Sequence, residues 1–535
     1  MKFRVITMAA AFAVAALATP VHAKTFRYAF QGDLNALDPY TLNETFTLGA
    51  LGNVMEGLTK RDKDLKIIPG LAESWEIVEP TRWRFHLRKG VKFHGGEPFT
   101  ADDVIFSAER ALSPESNIKS RIAAGTKLVK VDDHTVDFVL SSPNPILHYE
   151  WDTWYIFSKT WAEANGATKV QTSSSQLSPF TLKANGTGPF KVESWKKQDA
   201  VNLVRNENYV QPVATPGHEG AAYLDGITWR FIPEAATRYA ALQAGEVQII
   251  DNAQPDTIAA AAKNQAVKHL DAPRPGAANR IELNSSKAPF NDSQVREAFV
   301  HAVNVNAGVD SLFFGTAPRS YSPLSSVEPL AYSAESLFAY DPAKAAELLD
   351  AAGWTERDSE GYRTKDGERL SLSFPVSTSQ SIPAEQSLFE QLQATAKESG
   401  IEIKINLLDL SSWYGELFKN DYNLVSAPYT KVGPSVLSIL FHSDSTIPAP
   451  SGYFANLSQV KDPSLDALLE TAGSTEDEAQ RKELYAQAQK LVLEGYYLLP
   501  LYNQQNHFLY SSNLQNVGTT TAVATPTFFD TWLAK

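Results

Sequence analysis

The Ser-x-x-Lys tetrads Ser116 to Lys119 and Ser194 to Lys197 have the spacing at which an acyl-serine enzyme activates its nucleophile. Such an enzyme also carries Lys-Thr-Gly and Ser-Asp-Asn, and both are absent. So are Gly-x-Ser-x-Gly and His-Glu-x-x-His. Four-residue patterns recur by chance in a chain of 535 residues, so an exported serine hydrolase is only the minor alternative. Gly186-Thr-Gly-Pro invites a phosphate-loop reading. No Lys-Ser or Lys-Thr follows at the required spacing, and no third glycine completes a dinucleotide fingerprint. No cofactor is expected. His442, in Leu-Phe-His-Ser-Asp, is the candidate for a metal or chelate contact. Only ten histidines occur, none pairs at i, i+4 around an acid, and no cysteine assists, so no metal site is expected.

Any site depends on the elements that hold it. Trp83, Phe85 and Leu87 alternate with Arg82, Arg84, His86 and Arg88. Period two gives one apolar and one wet face, a half-buried strand between the turn signals Glu79-Pro80 and Gly90. Thr100 precedes Asp103 by three, a helix start, and Val104, Ala108, Ala111 and Leu112 then share a helical face. Further strands are expected at 25–30 and 135–140, with a helix at 49–58. A helix from Ala235 ends at Gly245, and a strand follows at 246–251. In the second half, Asp341-Pro342 opens a helix that Gly353 ends. A helix at 385–400 leads to a strand at 401–407. Thr475 with Glu478 reads as a capping box for a helix closed by Gly495, and 496–502 is a buried strand. Alternating helices and strands indicate an α/β architecture. The aromatic group Trp151, Trp154, Tyr155, Phe157 and Trp161 could stack on sugars or bases, but core packing is the favoured reading.

Residues 1–23 differ from the rest. Lys2 and Arg4 precede an apolar run, and Val21-His-Ala23 fits a small-residue cleavage site, so a cleavable secretory leader is expected. The formal net charge is −13, and −15 once Lys2 and Arg4 leave with the leader. That charge argues against nucleic acid as a partner. Without cysteine an exported protein gains no disulfide and carries no N-terminal lipid, so it must rely on a large core.

The order of residues says more than their periodicity. The string "LAESWEI…TRWRFHLRKGVKFHGGEPFTADDVIFSAERAL" resembles the signature region of solute-binding protein family 5, the dipeptide, oligopeptide and nickel receptors of bacterial ABC importers. Gly186-Thr-Gly-Pro-Phe…Trp195, "ALQAGEVQII" and the stretch from Ile281 to Val303 resemble further family elements, so the likeness covers almost all of the mature chain. It implies an α/β fold of two lobes, the periplasmic binding protein fold, with an extra α+β subdomain in lobe one. The expected divisions are leader 1–23, lobe one 24–61, inserted subdomain 62–205, lobe one again 206–277, lobe two 278–504 and a return to lobe one at 505–535. The Pro and Gly of 273–278 mark the first crossing. The implied function is capture of a small organic solute, peptide-like or amino-acid-derived, by a monomer in the periplasm and its delivery to an inner-membrane ABC permease. No residue would perform chemistry. An oligosaccharide or metal-chelate receptor of the same fold is the alternative.

The resemblance also supplies site candidates. The family's early loop reaches the ligand cleft, which puts Glu44, Thr45, Phe46 and Thr47 there. Trp413 matches a cleft-lining position, with core packing as the competing reading. In peptide receptors an aspartate near residue 430 pairs the ligand ammonium. This chain has Thr430, flanked by Tyr429 and Lys431. An unpaired buried charge costs about 3–5 kcal/mol, so an ordinary peptide N-terminus is disfavoured. Gln386 stands where dipeptide receptors place an arginine for the carboxylate. Lys431, if it faces the cleft, would suit an anionic ligand.

Overall fold

Strand Thr25–Phe30 exposes Thr25 and Arg27 and buries Phe26 and Tyr28, then runs on into buried Ala29 and Phe30. An element buried on both faces at one end belongs in the middle of a sheet. The computed structural model puts it there, fourth of seven strands. The order is Val267–Pro273, Gln505–Ser511, Ile249–Ile250, Thr25–Phe30, Gly226–Phe231, Ala200–Arg205, Phe190–Lys196. The central strand is parallel to both neighbours, which are joined through helix Ala235–Gln243; the remaining pairs are antiparallel. The structure describes residues 25–534 except 33, 35, 42–44, 63, 117, 119–124, 151–153, 171–183, 212–217, 379, 427–432, 434, 449–453 and 521–524.

A four-stranded antiparallel sheet, ordered Ala72–Glu79, Arg82–Leu87, Thr135–Val139, Lys127–Asp132, lies beside the first. Arg82–Leu87 buries Trp83, Phe85 and Leu87, the alternation its sequence dictates. On its other face Arg84 makes a two-pronged ion pair with Asp137, at 2.7 and 2.9 Å. Helix Ala101–Leu112 starts where the Thr100 N–H donates to Asp103 Oδ2 at 2.8 Å, and it buries Val104, Ala108 and Ala111. Trp154, Tyr155 and Phe157 are buried in the same core, and Trp161 packs against it. These rings are structural, and the Tyr155 hydroxyl donates to the Leu48 carbonyl at 2.7 Å. Gly186 is explained by close approach: a Cβ there would lie 2.1 Å from the Val54 carbonyl oxygen.

The loop that leads from the central strand is pinned by a buried charge pair. Arg110 forks onto both oxygens of Asp38, Nη1 at 2.9 Å from Oδ1, and both side chains are 1% exposed. The guanidinium also donates to the Lys169 carbonyl and lies over the rings of Tyr40 and Phe157, at 5.3 and 5.0 Å.

A second core gathers residues from Ala277 to Tyr502. Its centre is a three-stranded sheet, Leu424–Ser426, Asn279–Leu283, Leu498–Tyr502. The parallel strands Ser371–Ser377 and Glu402–Leu408 pack beside it, bridged by helix Pro383–Glu398. Helix Pro342–Ala351 is capped by Asp341, which accepts from the Lys344 N–H at 2.9 Å.

Three local expectations shift. The early helix is Thr45–Leu51, one turn before the expected place. The 246–251 strand shrinks to Ile249–Ile250. Thr475 does not open the long helix: its hydroxyl donates back to the Thr471 carbonyl at 2.7 Å, closing the preceding helix. Asp477 caps Glu478–Glu494 instead, accepting from the Gln480 N–H at 2.7 Å, where a carboxylate also meets the helix dipole. Among the described residues no helix is long and apolar enough to cross a membrane.

Candidate functional site

Two chain segments join the cores. Val267–Pro273 passes through Arg274, Pro275 and Gly276 into Asn279–Leu283, and Leu498–Tyr502 returns through Asn503 and Gln504 into Gln505–Ser511. The segments stay paired across the gap, since the Arg274 N–H donates to the Gln504 carbonyl at 2.9 Å. Gly276 takes the left-handed conformation, φ +89°, which a side chain would resist, and its N–H donates to Glu328 at 2.6 Å.

Over this hinge lies a cavity of about 470 Å³, within the ~300–1,000 Å³ typical of small-molecule sites. One wall is aromatic and comes from the first lobe, with Tyr28 and Phe30 rings 4.9 Å apart and Trp229 and Phe528 behind them. The facing wall comes from the second lobe, with Phe313 against Tyr502 and the first turn of helix Pro383–Glu398. That helix presents its N-terminal end, the end that favours negative charge.

Arg274 lines the floor. Among the described residues its side chain has no hydrogen-bond or ion-pair partner, and Nε is buried. Burial pulls its pKa below the usual arginine value, and the nearby Glu385 carboxyl opposes that. Gln380 Oε1, Gln505 Oε1 and Thr525 Oγ1 are likewise buried and unpartnered on the same cavity. Buried polar groups are normally satisfied, and these exceptions converge on one cavity.

Two acids also face the cavity. Asp251 is held by Arg238 at 3.4 Å and accepts from the Gln31 N–H, yet burial pushes its pKa up to about 7. Glu385 accepts from Asn279 Nδ2 at 2.7 Å, and burial pushes it too up to about 7. An acid whose pKa is higher folded than unfolded keeps its proton longer in the native state. Stability therefore falls as pH rises from about 4.5 to about 7, at ~1.4 kcal/mol per unit for that group. Glu385→Gln keeps the oxygen that Asn279 meets but cannot ionise. Its ligand-free melting temperature is expected to decline less between pH 5 and 8 than that of the unaltered protein; parallel curves would refute the assignment.

The sequence-derived candidates are scattered. Thr45 and Phe46 sit on helix Thr45–Leu51, but their side chains, and all of Glu44, lie outside the described residues. Thr47 is fully buried on that helix, and it is Gly49, Ala50 and Asn53, further along the chain, that reach the cavity. Trp413 is 1% exposed and packs with Leu417, Tyr422, Val425, Phe454 and Leu457 in a separate small core, off the described lining of the cavity. Tyr429, Thr430 and Lys431 lie outside the described residues. Gln386 donates to Ser381 Oγ at 3.0 Å and so steadies the helix start rather than the cavity lining. His442 accepts from the Asp444 N–H at 3.1 Å and caps the turn Ser443–Thr446. Of the tetrads, Ser116 is buried and accepts from the Ile118 N–H, Ser194 accepts from Asn202, and Lys119 lies outside the described residues.

Sequence reading passed over Arg274 and Glu385. The available signal was a charged residue locked between two prolines at the crossing, and an acid beside Gln386.

Two lobes on a paired hinge, with a polar-floored aromatic cavity between them, define a receptor that encloses a small solute. Residues 66–446 match the family model for the bacterial extracellular solute-binding proteins, family 5, middle region, and the chain belongs to that family. It is 27% identical to the dipeptide-binding protein of Escherichia coli K12 over 504 residues, 88% of each chain. It is 28% identical to the glutathione-binding protein GsiB of Salmonella choleraesuis over 515 residues, 92% of this chain and 91% of that one. In fold it is similar to the substrate-binding protein CtaP of Listeria monocytogenes, with TM-score 0.80 and 21% identity, covering 96% of this chain and all of that one. It is thus a solute-binding protein of an ABC import system, and the relatives it matches are binding proteins rather than enzymes.

Proposed function

We propose that the inter-lobe cavity takes a small carboxylate-bearing solute, peptide-like or amino-acid-derived, with its carboxylate on Arg274. The observation that carries this reading is the unpaired guanidinium on the hinge. A carboxylate supplies the two acceptors that the fork of an arginine matches, and the helix end at Pro383 adds to the attraction. Both acids in the cavity are held partly protonated near neutral pH. The cavity therefore favours the acid end of an amino acid over its ammonium end, which agrees with Thr430 in place of an aspartate. The dipeptide- and glutathione-binding relatives support this class of ligand.

The protein works as a monomer in the periplasm after loss of residues 1–23. A solute touching both walls binds the closed form better than the open one, and that difference drives closure for presentation to the inner-membrane permease. The test has two arms. Native mass spectrometry of periplasmic protein, followed by denaturation, identifies any solute carried through purification. A thermal-shift panel compares amino-acid-derived carboxylates with their methyl esters. Acids that stabilise where esters do not are the expected result; a neutral sugar in the cavity, or equal shifts by esters, overturns the reading.

A further inference from the structure

The strands Val267–Pro273 and Gln505–Ser511 pair antiparallel, with His507 opposite Asp271 and Leu509 opposite His269. Residues two apart on a strand share a face, so His269, Asp271 and His507 stand on one side of the ladder. Their polar atoms converge. His269 Nε2 and His507 Nδ1 each lie 2.7 Å from the same oxygen, Asp271 Oδ1. The two ring nitrogens are 3.2 Å apart. We propose that this trio is a binding site for one divalent transition-metal ion of the zinc, nickel or copper kind.

The chemistry fits the donor set. Two imidazole nitrogens and one carboxylate oxygen are the ligands that such ions take from proteins, at about 2.0–2.2 Å. A triangle with sides of 2.7, 2.7 and 3.2 Å is small enough for one ion, standing above its plane, to reach all three corners. Three ligands on one face leave the other side of the ion open, and here that side is not walled off: His269 and Asp271 are exposed. The platform is rigid, since all three residues lie in regular strands. His507 is buried and also lines the inter-lobe cavity, so the ion stands at the rim of that cavity. Without an ion the trio can satisfy itself as a hydrogen-bonded His-Asp-His link, and the experiment separates the two roles.

Tag-free mature protein is stripped with EDTA and titrated calorimetrically with ZnCl2, NiCl2 and CuCl2 in a non-coordinating buffer. The expected result is one ion per chain for at least one metal, with Kd in the micromolar range or below, and a metal-dependent rise in melting temperature. His269→Ala changes an exposed side chain outside the cavity lining. It is expected to fold normally and to weaken binding at least about tenfold, as does Asp271→Asn, since even outer-shell losses at metal sites cost that much. No saturable binding below about 100 µM, or binding that both variants leave unchanged, overturns the proposal. Neither outcome bears on the carboxylate reading, which rests on Arg274.

Discussion

Arg274→Met is expected to lose solute binding while the empty protein stays as stable as before or gains. The two halves of this result have one cause. In the empty protein the guanidinium is partly desolvated and unpaired, so removing it removes a cost. In the loaded protein the same change leaves a ligand carboxylate without its counter-charge, which costs about 2–5 kcal/mol, or roughly 30- to several-thousand-fold in Kd. Arg274→Lys keeps the charge but not the fork and should fall between the two. Calorimetry with the solute released from the native protein reads the affinity, and melting of stripped protein reads the stability. A methionine variant that binds within about threefold of the original would remove Arg274 from the site. One that is also strongly destabilised when empty would make it a structural residue.

Asp38→Asn should give the largest loss of stability. Arg110 and Asp38 are buried together, and the change takes the carboxylate away from a guanidinium that also meets the Lys169 carbonyl and the rings of Tyr40 and Phe157. Breaking one side of a buried pair costs about 3–5 kcal/mol because the remaining charge is stranded. Removing both charges, as Asp38→Asn with Arg110→Met, should recover much of that loss. Urea unfolding followed by tryptophan fluorescence reports it directly. A single variant that unfolds within about 1 kcal/mol of the original would show that the pair is not what pins the early loop.

Local signals were legible and non-local ones were not. The alternation of Arg82–Leu87 and the cap at Thr100 are decided within a few residues, and both appear as read. Thr475 misled because two cap residues stood close together, and the nearer acid won. The choice between core and cleft for Trp413 depended on which way helix Leu410–Phe418 turns its faces, which no local pattern fixes. Arg274 and Glu385 each looked ordinary, and their meaning comes from a hinge that brings distant segments to one floor. The His-Asp-His trio escaped a search by spacing for the same reason, since 236 residues separate Asp271 from His507.

The strand Gln505–Ser511 holds a further consequence. It lies second in its sheet, so the edge strand Val267–Pro273 hydrogen-bonds into that sheet through it. Synthesis runs from the N-terminal end, so the first lobe is begun early and finished last. Until residue 511 is in place, one edge of that sheet is open, the hinge has a single strand, and neither the floor at Arg274 nor the trio at Asp271 is complete. The cavity is thus completed by the chain's own tail, since Gln504 to Phe508 and Phe528 supply part of its lining.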